Sequence, residues 1–129
     1  MLPTFLLEEQ LVRANGSGPV ADLGPDRPST VSLTLGITRV IEQESLDVAL
    51  YGSADGETWS EKPVAVFPQK FYCGVYTVLL DLSEDPDIRY LRTEWKVGRW
   101  GRGEPVPLFN FYLFAQPAPE RRTLASSAA

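Results

Sequence analysis

Leu46-Asp47-Val48-Ala49-Leu50-Tyr51-Gly52-Ser53-Ala54-Asp55-Gly56-Glu57-Thr58-Trp59 reads as a strand that runs into a tight turn closed by an indole. Successive side chains of an extended chain point to opposite faces, so Leu46, Val48 and Leu50 share one face while Asp47, Ala49 and Tyr51 share the other. Ser53, Asp55 and Gly56 are turn residues: two short polar side chains that bond their own backbone, and a glycine that accepts positive φ. Trp59 is then expected to fold back onto the sheet as an apolar plug. Nothing in the stretch is a nucleophile with a base beside it, so it speaks for fold and not for chemistry.

The same signal recurs outward from this stretch in both directions. Short apolar runs end repeatedly in Gly, Pro, Asn, Asp or Ser, which predicts strands over residues 4–12, 20–23, 30–40, 45–52, 64–67, 75–82, 88–97 and 108–114. Between them lie Asn15-Gly16-Ser17-Gly18-Pro19, Gly24-Pro25-Asp26-Arg27-Pro28, Ala54-Asp55-Gly56, Asp85-Pro86-Asp87 and Gly101-Arg102-Gly103-Glu104-Pro105 as breakers. Val31, Leu33, Leu35 and Ile37 alternate with Ser32, Thr34, Gly36 and Thr38, and Leu91, Thr93, Trp95 and Val97 alternate with Tyr90, Arg92, Glu94 and Lys96. One buried and one wet face per strand predicts an all-β, antiparallel β-sandwich, because parallel sheets need continuous apolar runs and helical crossovers. Only residues 5–13 and 119–124 have a pattern that also admits a helix.

Composition narrows the chemistry. The chain has 129 residues, 43% hydrophobic and 22% charged, which suits one globular domain, read as residues 1–115, followed by a tail at 116–129. It contains no histidine, which removes the usual general base and the commonest transition-metal ligand, and its single cysteine, Cys73, cannot form an internal disulfide. Cys73 sits between Phe71-Tyr72 and Gly74-Val75-Tyr76 and is expected to be a buried small hydrophobe. A net charge of −5 repels a phosphate backbone and disfavours nucleic acid as a partner. The opening Met1-Leu2-Pro3-Thr4-Phe5-Leu6-Leu7-Glu8-Glu9 has no positive start and too short an apolar run for a signal peptide, and no stretch is long enough to span a bilayer. Cytoplasmic synthesis, no membrane and no cofactor are the expectations.

Candidate sites are few. Glu42, Glu44 and Asp47, and separately Asp81, Glu84, Asp85 and Asp87, are acids around turns that could hold Ca²⁺, although solvated turn carboxylates account for both groups. A stronger concentration is basic and aromatic: Arg89, Arg92, Lys96, Arg99 and Arg102 share one segment with Tyr90, Trp95 and Trp100. Within it, Trp95, Lys96, Arg99, Trp100 and Arg102 are the predicted interaction surface, since an indole flanked by glycines on a loop is hard to bury and stacks on sugars, bases or partner side chains. The competing reading pairs Arg99 and Arg102 with the acids of the 81–87 turn as a surface ion network. Leu108-Phe109-Asn110-Phe111-Tyr112-Leu113-Phe114 is apolar on both faces, which places it either at the centre of a sheet or against a partner subunit.

Two resemblances follow from these motifs. The Leu46-to-Trp59 strand and turn, the Arg89-Tyr90-Leu91-Arg92 strand and the terminal apolar strand resemble the discoidin (F5/8 type C) jelly roll over residues 45–114, which implies loops that bind carbohydrate or lipid head groups. Adding Val20-Ala21-Asp22-Leu23-Gly24 and the strand from Val31 to Val40, the whole order is similar to small β-sandwich structural and decoration proteins of tailed-phage-like particles. That resemblance implies a non-enzymatic structural protein with a jelly-roll-like fold, a homo-oligomer or a partner of other assembly subunits, incorporated into a virion-like particle. The discoidin resemblance implies the alternative, a carbohydrate-binding module.

Overall fold

The computed structural model of the chain describes residues 2–40, 44–99 and 108–118. Eight strands follow in order: β1 (Thr4–Val12), β2 (Gly16–Asp22), β3 (Thr30–Val40), β4 (Glu44–Ser53), β5 (Ala65–Val66), β6 (Gly74–Asp81), β7 (Tyr90–Arg99) and β8 (Phe109–Pro117). β1 pairs with β8, β2 with β7, β3 with β6 and β4 with β5, all antiparallel, which is one long hairpin folded on itself. Further pairing of β3 with β8 and β4 with β7 closes this into two four-stranded sheets, β1-β8-β3-β6 and β2-β7-β4-β5. That winding is a jelly roll, an antiparallel sandwich as the alternation predicts.

The inward rows are the ones the period of two selects. Leu33, Leu35, Phe109, Phe111 and Leu113 of the first sheet meet Leu46, Val48, Leu50, Leu91 and Trp95 of the second, all of them buried. Phe111 and Trp95 join the two layers edge to face, with ring centroids 5.8 Å apart. One end of the roll is tied by Arg27, whose guanidinium Nη1 donates to Pro28 O at 2.8 Å and Nη2 to Asp85 O at 2.9 Å, so the β2–β3 and β6–β7 loops are held together. Leu82 N–H to Ser29 O at 2.7 Å runs beside it.

Several expectations are corrected. Residues 16–19 are strand rather than breaker, because pairing of Gly16 and Ser17 with Trp95 and Glu94 of β7 outweighs the weak local propensity of Gly and Pro. The helical option for residues 5–13 loses to the β1–β8 ladder, and the one for residues 119–124 lies outside the described residues. β8 continues to Pro117 with Ala118 N–H bonded to Thr30 O, two residues further than the expected end of the domain. Cys73 is exposed, since it precedes an edge strand at the rim of the first sheet and has no second layer above it. Glu44 is fully buried instead of solvated, with Oε1 accepting the Leu108 N–H at 2.6 Å. No described residue belongs to a helix long and apolar enough to cross a membrane.

Candidate interaction surfaces

Of the predicted interaction surface only Trp95 and Lys96 have described side chains, and both border one hollow on the second sheet. Trp95 belongs to the inward row of β7, is 7% exposed and donates its indole N–H to Ala14 O at 2.9 Å, so it is a core residue and not a contact surface. The strand alternation overrides its charged neighbours. Lys96 faces outward, opposite Asp47 of β4. The Arg99 side chain, Trp100 and Arg102 lie outside the described residues, as does Glu42. Of the acids near them, Asp81 accepts the Ser83 N–H at 2.9 Å, and this bonding with Ser83 pulls its carboxyl below the usual carboxylate range. Among the described residues no group of three or more His, Cys, Asp or Glu is placed to hold a metal.

The Ser53 turn forms as its residues require. Ser53 Oγ accepts the N–H groups of Asp55 (3.2 Å) and Gly56 (2.8 Å), and Asp55 Oδ1 accepts those of Glu57 and Thr58, each at 2.8 Å. The Thr58 and Glu57 donors, with the Ser53 hydroxyl, lower the Asp55 pKa. Gly56 has φ of 81°, the left-handed value that a side chain disfavours, and Tyr90 packs over it. Trp59 does not plug the core. It lies on the outside of the second sheet, half-buried, with the Arg92 guanidinium 4.7 Å above its ring.

The outer face of the second sheet carries side-chain pairs beside two exposed valines, Val20 and Val66. Arg92 bonds Glu94 at 2.9 Å, Gln69 donates to Asp47 at 3.0 Å, and Arg89 grips Asp22 through two N–H groups at 2.7 and 2.9 Å. Arg89 and then the Gly24 N–H hold the Asp22 carboxyl far below the usual range, while Asp22 raises the Arg89 pKa in turn. A hollow of about 450 Å³ lies over Ala49, walled by Tyr51, Asp47, Glu94, Lys96 and Asn15.

The outer face of the first sheet is different. Register aligns Gly36 with Tyr112 and Val75, Thr34 with Phe114 and Thr77, and Ser32 with Gln116 and Leu79. A methyl group on Gly36 would collide with the Tyr112 ring, so the absent side chain is what lets that ring lie across the strand. Phe5 packs edge-on against Phe114 at 4.9 Å and Tyr112 at 6.0 Å. These rings, with Thr34, Glu8 and Glu9, line a groove of about 650 Å³. Around it Phe5 is 49%, Leu11 45%, Val75 67% and Leu79 53% exposed. Glu9, Thr38 and Asn110 form the polar border, with Asn110 Nδ2 donating to Thr38 Oγ1 at 2.7 Å and Thr38 Oγ1 lying 3.0 Å from Glu9 Oε2.

Comparison of the chain with protein-family models, with curated proteins and with solved structures returns no match in any of the three. The surface residues that sequence reasoning passed over are Phe5, Val75 and Leu79. Val75-Tyr76-Thr77-Val78-Leu79-Leu80 carries a signal that could have found the last two, a run apolar in both phases like that of β8.

Proposed function

We propose that this protein is a non-enzymatic structural or decoration component of a larger assembly, of the phage-like particle kind, and that it docks through the outer face of its first sheet. The observation that carries this reading is the row of large apolar side chains, Phe5, Leu11, Val75 and Leu79, left in water around the Phe5–Tyr112–Phe114 rings. Contiguous exposed apolar surface marks interaction sites, and covering it returns about 25 cal/mol per Å². A histidine-free chain, in which Arg89 and Arg92 are paired with Asp22 and Glu94, fits a scaffold better than a catalyst.

Light scattering on the purified protein tests this. The chain should be oligomeric, and Phe5→Ser with Phe114→Ser should yield smaller species that still unfold cooperatively. A wild-type monomer, or an unchanged oligomer in the double variant, overturns docking through this face.

A second reading rests on the hollow over Ala49, whose volume falls within the roughly 300–1,000 Å³ of small-ligand sites. Tyr51 with Asp47, Glu94 and Lys96 offers a ring beside hydrogen-bonding groups, a set suited to carbohydrate. This reading expects a monomer retained on a polysaccharide column, with retention lost in Tyr51→Ala.

A further inference from the structure

We propose that β6 is a seam at which two copies of this chain join, pairing antiparallel across a two-fold axis so that their first sheets merge into one continuous sheet. The inference rests on the reading of the protein as an assembly subunit and names its partner as a second copy.

Among the described strands the sheet edges are β1, β6, β2 and β5, and three of them are blunted. β1 follows Pro3, carries Glu8 and Glu9, and its ladder to β8 slips twice, between Phe5 and Leu7 and again between Leu7 and Gln10. β2 contains Pro19 and a register shift between Ser17 and Val20. β5 is two residues long, bracketed by Pro63 and Pro68. Charges, prolines, bulges and shortness are the devices that keep sheet edges from pairing.

β6 has none of them before its last residue. Its eight residues pair with β3 without a shift, from Thr30↔Asp81 to Ile37↔Gly74, and from Gly74 to Leu80 there is neither a charge nor a proline. Phe71 and Tyr72, beside its start, and Val75 and Leu79, within it, are all exposed. An edge whose own residues 74–80 are uncharged and β-prone, with Lys70 Nζ lying over the Tyr76 ring near its start, recruits another strand through backbone groups that no described strand pairs.

The occupant follows from the strand's own symmetry. Folding Gly74-Val75-Tyr76-Thr77-Val78-Leu79-Leu80 on Thr77 sets Val75 against Leu79 of the second copy, Tyr76 against Val78, Gly74 against Leu80, and Thr77 against Thr77. Outward residues then meet outward ones and inward meet inward, apolar against apolar, while Asp81 falls opposite Cys73 rather than another acid. The two outer faces also become one, with Val75 and Leu79 at its centre and the aromatic grooves on either side.

Three measurements test the seam. Light scattering should give an even multiple of the chain mass, and Thr77→Lys, an exposed outward position, should halve that mass in a folded protein through like charges set face to face. Hydrogen exchange should show alternate β6 amides, those turned away from β3, protected in the dimer and at least tenfold faster in the Lys variant. In a Cys73→Ser background, Thr77→Cys should cross-link into dimers on mild oxidation and Thr34→Cys, one strand inward, should not. An oligomer that survives Thr77→Lys with freely exchanging β6 amides overturns the seam and leaves the assembly reading standing. A wild-type monomer at every concentration overturns both.

Discussion

On the outer face of the second sheet Arg92 covers Trp59 and bonds Glu94, and Gln69 bonds Asp47, while on that of the first sheet Phe5, Tyr112 and Phe114 pack on one another and leave apolar edges in water. The inner faces are alike, rows of Leu, Val and aromatic residues at period two. A sandwich needs only its inner rows to fold, so the outer rows are free to diverge. Here one carries polar pairs within the monomer beside exposed Val20 and Val66, and the other leaves Phe5, Leu11, Val75 and Leu79 in water.

Truncation on the shared inner face has the largest expected effect. Phe111→Ala removes a fully buried ring that touches Trp95 across the layers and should cost about 3–5 kcal/mol in chemical denaturation. A loss below about 1 kcal/mol would mean that the two layers are not joined there.

One ring from each outer face sharpens the contrast. Trp59→Ala loses a half-buried indole and its cation–π contact and should cost about 1 kcal/mol in the monomer. Phe5→Ala should cost less stability than that and instead lower the oligomer's mass by light scattering. Similar stability losses with no change in association for either variant would break the comparison.

The smallest effect belongs to the polar finish of the second sheet and is a pH signature. Arg89 depresses the folded pKa of Asp22, so the pair stabilises the protein above the unfolded carboxylate value of about 3.9 and loses that contribution as pH falls below it. Asp22→Asn should unfold at a lower midpoint than wild type at neutral pH, with the gap narrowing as pH falls from about 5 to about 2. A gap that stays constant or widens in acid would remove the ion pair from the account of that face.

Much of this was legible along the chain. Residues 4–12 and 30–40 are strands end to end as expected, the second because alternation from Val31 to Thr38 follows the turn residues at 24–28, the first because an apolar run ends at Asn15-Gly16. The Ser53 turn was legible because Asx and Ser turns are closed by atoms two and three residues apart. Trp95 was misplaced on the surface by its charged neighbours even though its phase with Leu91 and Thr93 pointed inward. Glu44 and Arg27 were out of reach for another reason: their partners, Leu108 and Asp85, are 64 and 58 residues away.

β6 and β8 mark where local pattern stops. Both are apolar in both phases, yet β8 lies between β1 and β3 while β6, among the described strands, neighbours β3 alone. The sequence by itself determined the all-β class, most of the strands and the inward row of the strands that alternate, since these depend on neighbours one or two residues apart. Only the tertiary structure decided which strand is an edge and which outer row stays bare, because strand order is set by pairings between segments far apart in the chain.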